Sequence, residues 1–293
     1  MLRVLTTLTF AAAALPAAAC PQYDTIVSAV QGQDTAGARV LYEEIVFSAA
    51  CDDAIREWVG DYLARESFFA ARDATDPARK RALLEEALTF EKHWRSYAEL
   101  GRLSWEARDY PDAARNLQLA LNELSEGDQS HAAAPEEIAE VYDLATAAVA
   151  LAETAVDMPK TRSGQTGGIF QTSFRGFEVE EVSLPITFKY DSTEFDDVGR
   201  DYANALVEHI ALAAPPAIRL GGHTDPLGSE DYNLALSEAR AETVRQLLLS
   251  KGYAGQITVE GHGETMLPPA PPGIEPNSPE HFRIARRVAF SAE

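Results

Sequence analysis

The chain predicts an α+β protein, a helical half followed by a half that mixes strands and helices, and three observations carry that reading. From Pro21 to about Val156 the sequence is rich in Ala, Leu and Glu and poor in Gly, with apolar residues recurring at helical spacing. Between Asp157 and Gly176 the periodicity stops, and Pro159, Ser163, Gly164, Gly167 and Gly168 cluster. From Val182 onward short alternating runs are separated by helical ones, a pattern that calls for a sheet covered on one face. The predicted segments are a leader at 1–19, a helical domain at 20–156, a linker or loosely packed crossing at 157–181, and a mixed domain at 182–293.

The leader has the build of a secretory signal. Arg3 supplies a short basic start, Val4 to Leu15 is apolar, Pro16 breaks the run, and Ala17-Ala18-Ala19 is an A-x-A cleavage site. The apolar run is too short to span a bilayer comfortably, so the mature chain is expected to begin near Cys20, outside the cytoplasm and without a membrane span.

Cys20 then has two readings. It could carry the lipid of a bacterial lipoprotein, although such signals usually place Leu three positions before the cysteine and here that residue is Ala17. Alternatively it pairs with Cys51, the other cysteine of the chain, which would otherwise remain a lone thiol in an oxidising compartment. Such a loop closure contributes roughly 3 to 4 kcal/mol in the chain-entropy model. Two cysteines make a poor basis for a zinc site.

A formal net charge of −21 with no Lys/Arg cluster argues against nucleic acid and anionic lipid as partners. Long-range attraction cannot gather an anionic ligand either. Affinity for one must come from local geometry and depend little on salt.

In the helical half the clearest piece is Trp94 to Leu124. Leu100-Gly101, Asp109-Tyr110, Ala113, Leu117 and Ala120 fall where a tetratricopeptide repeat places its small and large packing residues. Gly101 and Ala113 would let two helices approach closely, Leu117 would fill the gap, and Pro111 suits a first helical turn. A poorer copy precedes it, with Leu83, Leu84 and Ala87 after the Asp76-Pro77 start, and a further helix follows Pro135. With two helices expected before Cys51 and one after it, the half could stack a short solenoid that engages a protein partner, or serve only as a spacer. Trp58, Trp94, Trp105, Phe68 and Phe69 sit at helical spacing and are read as core.

In the mixed half Leu184, Ile186, Phe188 and Tyr190 alternate as a first strand, and Tyr202 to Ala213 reads as a helix. Ile218 and Leu220 mark a second strand, Pro226 to Ser229 breaks it, and Asp231 to Ser250 runs at helical period. Ile257 with Val259, and Val288 with Phe290, mark two more strands. This order places Asp225 and Arg240, fifteen positions apart, at one strand-to-helix junction, with Asn233, Ser237 and Arg240 sharing a helix face. A carboxylate suits an ammonium, and a guanidinium can grip a carboxylate through two parallel hydrogen bonds. The pair therefore suits a small zwitterion, or else is an ordinary salt bridge that fixes the loop to the helix.

The string Gly222-His223-Thr224-Asp225-x-x-Gly228, followed by Tyr232-Asn233, Leu236-Ser237, Ala239-Arg240-Ala241, Gly261-His262-Gly263-Glu264 and Arg286-Arg287-Val288, resembles the OmpA-like C-terminal domain family of peptidoglycan-binding modules. The resemblance runs from about Val182 to Phe290. It implies a βαβαββ sandwich that holds the peptide stem of peptidoglycan noncovalently by its diaminopimelate, with Asp225 on the ammonium and Arg240 on the carboxylate. Thr224 and Asn233 match positions that help line the pocket, and Asp191 sits where the family often has a polar pocket residue. What the resemblance implies for the whole is a non-enzymatic protein of a Gram-negative-type envelope, periplasmic or associated with the outer membrane, that uses no cofactor.

This sequence departs from the family pattern at two places. Ala285 stands where an Asn usually precedes the two arginines, and the run Met266 to Pro279, with six prolines, favours an extended irregular loop. The competing expectations are a periplasmic hydrolase built on His223, Asp225 and His262 with Glu264, or a protein scaffold whose OmpA-like domain no longer binds peptidoglycan. No H-E-x-x-H or G-x-S-x-G motif supports the hydrolase, and the two histidines have a simpler expected role in closing turns.

Overall fold

A computed structural model describes residues 20–126, 133–174 and 176–292, so the expected leader lies outside the described residues. The chain divides into two compact units, Met1–Lys92 and His93–Glu293.

The first unit holds four helices: α1 (Tyr23–Gln31), α2 (Thr35–Ile45), α3 (Asp53–Asp73) and α4 (Pro77–Phe90). Short polar side chains start two of them. Asp34 accepts from Gly37 N at the head of α2, and Asp76 accepts from Ala78 N and Arg79 N ahead of Pro77 in α4, answering backbone donors that have no partner within the helix. Ile26, Ile45, Ile55, Val59 and Leu63 form the core. Cys20 is disulfide-bonded to Cys51, which ties the start of the described chain to the residues just ahead of α3.

The second unit opens with α5 (Trp94–Glu106), α6 (Tyr110–Glu126) and α7 (Pro135–Leu151). A Cβ on Gly101 would stand 2.5 Å from Leu117 Cγ, so α5 and α6 meet as closely as their small residues suggest. Two short strands follow, β1 (Ser173–Phe174) and β2 (Phe177–Glu178), then β3 (Val182–Leu184), α8 (Asp197–Ala213), β4 (Ala217–His223), α9 (Glu230–Ser250), β5 (Gln256–Gly261), α10 (Pro279–Ala285) and β6 (Arg287–Ala292). The last four strands form one sheet in the order β3-β6-β4-β5. β4 runs parallel to β5 with Leu220 opposite Val259, and antiparallel to β6 with Leu220 opposite Phe290.

Four sequence expectations differ from this arrangement. The division between units falls inside the helical stretch, because α5 to α7 share one apolar core with the sheet: Leu117, Val141 and Ile169 belong to the same cluster as Leu184, Leu220 and Phe290. Segment 157–181, read as a linker or loosely packed crossing in which Phe170, Phe174 and Phe177 suggest packing onto one of the domains, supplies part of that core through Ile169, Phe170 and Phe174, and Tyr142 Oη donates to Ile169 O at 2.8 Å. Two of its glycines, Gly167 and Gly168, serve close packing. Gly168 has φ 62°, and a Cβ there would meet Gln118 Oε1 at 2.6 Å.

The first strand is also shorter than its alternation suggests. It stops at Leu184, Asp191 takes a left-handed backbone with φ 49°, and Tyr190 is 99% exposed, so 186–190 leads into a turn that returns through the Phe188–Phe195 bridge. Finally, α10 separates β5 from β6, so the last two strands do not follow one another as in a βαβαββ order. Residues 266–278 are irregular as expected, and Pro279 begins α10.

The irregular run is held by the helices of its own unit. Trp105 Nε1 donates to Pro272 O at 2.8 Å, and Arg108 pairs with Glu280. Past the C-terminal end of α7 Arg283 donates to Ala152 O at 3.1 Å, and Val156 N donates to Tyr202 Oη at 3.0 Å. These directional bonds add to the apolar packing of α5 to α7 within the unit.

Candidate functional site

The junction after β4 is built by close approach. Gly222 lies where α9 presses on the strand: a Cβ there would stand 2.0 Å from Ser237 O, so only glycine lets the helix come this near. Beyond His223 the chain turns outward, with Thr224 N donating to Gly263 O at 2.9 Å, and Gly228 adopts φ 124° just before Ser229 caps α9 through Tyr232 N. The turn leaves Asp225 at the bottom of a cavity and Arg240, three turns along α9, on its wall.

The cavity has a volume of about 500 Å³, and all five sequence-predicted residues line it: Asp191, Thr224, Asp225, Asn233 and Arg240. Asp225 is largely buried. Its Oδ1 accepts from Leu227 N at 3.0 Å and its Oδ2 from Arg286 Nη1 at 2.6 Å. Asn233 is fixed by donating Nδ2 to Asp225 O at 3.2 Å and to Glu264 Oε2 at 2.6 Å. Thr224 Oγ1 is buried and has no hydrogen-bond partner.

Arg240 donates Nε to Ser192 O at 3.2 Å, and its guanidinium carbon sits 5.0 Å from the Phe188 ring centroid. A flat cation over an aromatic face is held in orientation as well as attracted. Among the described residues its two terminal nitrogens make no hydrogen bond, so the fork is open to a ligand. Burial lowers the pKa of Arg240, and Arg286 acts in the same sense, whereas Tyr232 and Asp225 raise it. Asp191 accepts from Tyr232 Oη at the rim, and this bond raises the phenol pKa.

Sequence reasoning did not assign Arg286, Phe188 or Tyr232 to the site. Arg286 was visible only as part of a motif, with nothing to show that 61 positions of chain bring it onto Asp225. Ala285, where the family pattern has Asn, is fully buried at the end of α10.

The nominated hydrolase residues do not form a working set. The rings of His223 and His262 stack with centroids 4.9 Å apart, and Asp225 engages Arg286 instead of either. The histidines close no turn through their rings. His262 bonds to Gly222 O through its backbone N, and both ring nitrogens of His223 are buried without a hydrogen-bond partner. Burial lowers the pKa of His223, and the nearest carboxylate, Glu181, stays 3.7 Å from its Nε2.

Fold and cavity together define a small mixed-sheet domain whose charged site lies at the turn after the strand that pairs parallel. Residues 187–273 match the model of the OmpA family, which makes this part of the chain an OmpA-like domain. The chain is 33% identical over 95 residues to a peptidoglycan-associated lipoprotein of Pasteurella multocida, across 31% of this chain and 63% of that protein. It is 30% identical over 118 residues to outer membrane porin F of Pseudomonas fluorescens, across 40% of this chain and 34% of the relative. The chain thus spans about a third to under two thirds of the length of these relatives. Among solved structures, that of the peptidoglycan-associated lipoprotein from Burkholderia pseudomallei is 29% identical, covering 39% of this chain and 89% of that one with a TM-score of 0.30. No helix among the described residues is long and apolar enough to cross a membrane.

Proposed function

We propose that this is a non-enzymatic protein of the cell envelope that anchors to peptidoglycan by holding the diaminopimelate of a stem peptide in the cavity between Asp225 and Arg240. The observation that carries the reading is that one charge of each sign, fifteen positions apart in sequence, faces a single cavity of about 500 Å³. In this reading the ligand's ammonium sits on Asp225, whose carboxylate oxygens have lone pairs left beyond their bonds to Leu227 N and Arg286. The ligand's carboxylate takes the open fork of Arg240. Thr224 Oγ1, which has no hydrogen-bond partner among the described residues, gains one from the ligand. Asn233 holds the Asp225 turn in place, and Asp191 with Tyr232 forms the rim.

The names of the relatives support an address in the periplasm or at the outer membrane. Helices α5 to α7 act as a brace for the binding domain, and the tetratricopeptide-like character of the helical half suits engagement of a protein partner or spacing. A hydrolase built on His223, Asp225 and His262 draws less support, since such a base needs a carboxylate to orient it and Asp225 is committed to Arg286.

The test is co-sedimentation with purified sacculi of the diaminopimelate type, run beside the Arg240→Ala variant. The parent is expected to sediment with the sacculi and the variant to lose about tenfold to a hundredfold in affinity, as follows from leaving a charged group unpaired. Equal sedimentation by a folded variant would remove the assignment of this cavity.

A further inference from the structure

A second cavity lies against the wall of the first. It has a volume of about 290 Å³ and opens between the C-terminal end of α7, at Ala152 and Glu153, and the turn after β3. Phe188, Arg240 and Arg286 line both cavities, so one partition separates them. In a chain of net charge −21, this small space gathers four arginines, Arg240, Arg283, Arg286 and Arg287.

Their charge is incompletely answered by the protein. Arg283 donates to Ala152 O, and Arg287 to Ala285 O and Met266 O, all of them neutral carbonyls. The carboxylates nearby are Asp225 on Arg286, Glu181 facing Arg287, Asp196 and Glu153. Of the two that line the cavity, Asp196 is occupied in capping α8 through Gly199 N and in accepting from Thr187 Oγ1, and Glu153 is exposed to solvent. His223 also lines the cavity, is 3% exposed, and has no ring nitrogen within hydrogen-bond distance of a partner, Glu181 facing its Nε2 from 3.7 Å. Converging cations and an orphaned buried imidazole, in a space too small for a branched segment, are what an anionic chain end would satisfy.

We propose that this cavity is a second subsite for the same ligand, taking the terminal carboxylate of the stem peptide while diaminopimelate occupies the first. The inference rests on the diaminopimelate reading of the Asp225–Arg240 cavity and adds to it a determinant from α10, β6 and the end of β4, walled by the C-terminal end of α7. Stems that end in a free carboxylate are then held in preference to stems whose end is blocked or cross-linked. Arg283 and Arg287 grip the carboxylate, and His223 supplies a ring N–H.

The experiment is isothermal titration of the full protein with three probes: free meso-diaminopimelate, a tetrapeptide stem ending in a D-alanine carboxylate, and the same tetrapeptide as its C-terminal amide. The acid is expected to bind the parent about tenfold more tightly than the amide, as for loss of a charge-assisted hydrogen bond. In Arg283→Gln that ratio is expected to fall toward one. Equal binding of acid and amide by the parent, with diaminopimelate still bound, would overturn the second subsite and leave the first intact. Failure of all three probes to bind the parent would overturn the reading beneath it. The acid-to-amide comparison uses the unaltered protein, so it decides the matter even if Arg283→Gln does not fold.

Discussion

Asp225 Oδ2 accepts a hydrogen bond from Arg286 Nη1 at 2.6 Å, while Arg240, on the wall of the same cavity, turns its Nε to Ser192 O. Asp225, the carboxylate proposed to take the ammonium, is thus already neutralised by one arginine, and Arg240, proposed to take the ligand's carboxylate, hydrogen-bonds no acid among the described residues. An ion pair whose acid is this buried orients the carboxylate more than it stabilises the fold, since desolvation offsets much of the attraction. Arg286→Gln leaves that buried carboxylate without its cation, so it is expected to lower diaminopimelate affinity several-fold and to cost about 3 kcal/mol of stability, with Leu227 N still held on Asp225 Oδ1. Titration together with thermal melting separates the two effects. Asp225→Ala should be worse in both, since it orphans two donors at once.

The brace formed by α5 to α7 makes its own prediction. A fragment starting at His93 is expected to melt as one cooperative unit, whereas one starting at Val182 strips Phe170 from Phe290, 6.0 Å between centroids, together with the rest of the helical share of the common core, and should aggregate or melt far lower. Calorimetry on both fragments checks this. A Val182 fragment as stable as the His93 fragment would show that the helices contribute nothing to the domain.

Two glycines should rank differently when replaced by alanine. At Gly101 the new methyl meets the Leu117 side chain at 2.5 Å, which can shift, so the cost is expected at about 1 to 3 kcal/mol. At Gly222 it meets Ser237 O at 2.0 Å, a helix backbone atom that cannot move without the whole of α9. Gly222→Ala is expected to exceed Gly101→Ala in destabilisation and to displace the Asp225 turn, so that ligand binding falls even in a protein that remains folded. Urea denaturation curves order the two.

His209 packs its ring against Phe170 and Phe290, at 4.8 and 5.6 Å between centroids, and burial lowers its pKa to about 4. Between that value and the ordinary histidine range the unfolded chain binds a proton that the folded one does not. Stability from this group is therefore complete above about pH 6.5 and falls as pH drops toward 4, by roughly 3 kcal/mol in total. Melting temperature followed from pH 7 to 4 should fall less steeply in His209→Phe than in the parent. Parallel slopes would contradict the assignment.

Parts of this architecture were legible because they follow short-range rules. The alternation at Ile218 and Leu220 gave way to helical period after Ser229, and the small residues at Gly101 and Ala113 marked a close helix crossing, as the structure shows. What stayed hidden depends on distant partners. The aromatics Phe170, Phe174 and Phe177 suggest that the 157–181 segment packs down somewhere, but the glycines around them carry no period that would name α6 and α7 as the elements that bury Ile169 and Phe170. Phe188 and Tyr190 kept a strand's alternation after the strand had ended, because alternation cannot register the left-handed turn at Asp191. Helical periodicity runs on across Lys92 and His93, so it carries no trace of the division between the units. At the site, Asp225 and Arg240 stood out as a pair within one motif, whereas Arg286 approaches from a separate strand-bearing segment.

The measurement that bears most directly on the account is titration of the protein with meso-diaminopimelate and with lysine, in the parent and in Arg240→Ala. Lysine carries the same side-chain ammonium but lacks the second carboxylate, so a cavity that reads both charges should bind it at least about tenfold more weakly. That preference should vanish in Arg240→Ala. Equal affinity of the parent for the two amino acids, or a preference that survives loss of Arg240, would contradict the proposal that Asp225 and Arg240 together recognise a zwitterion.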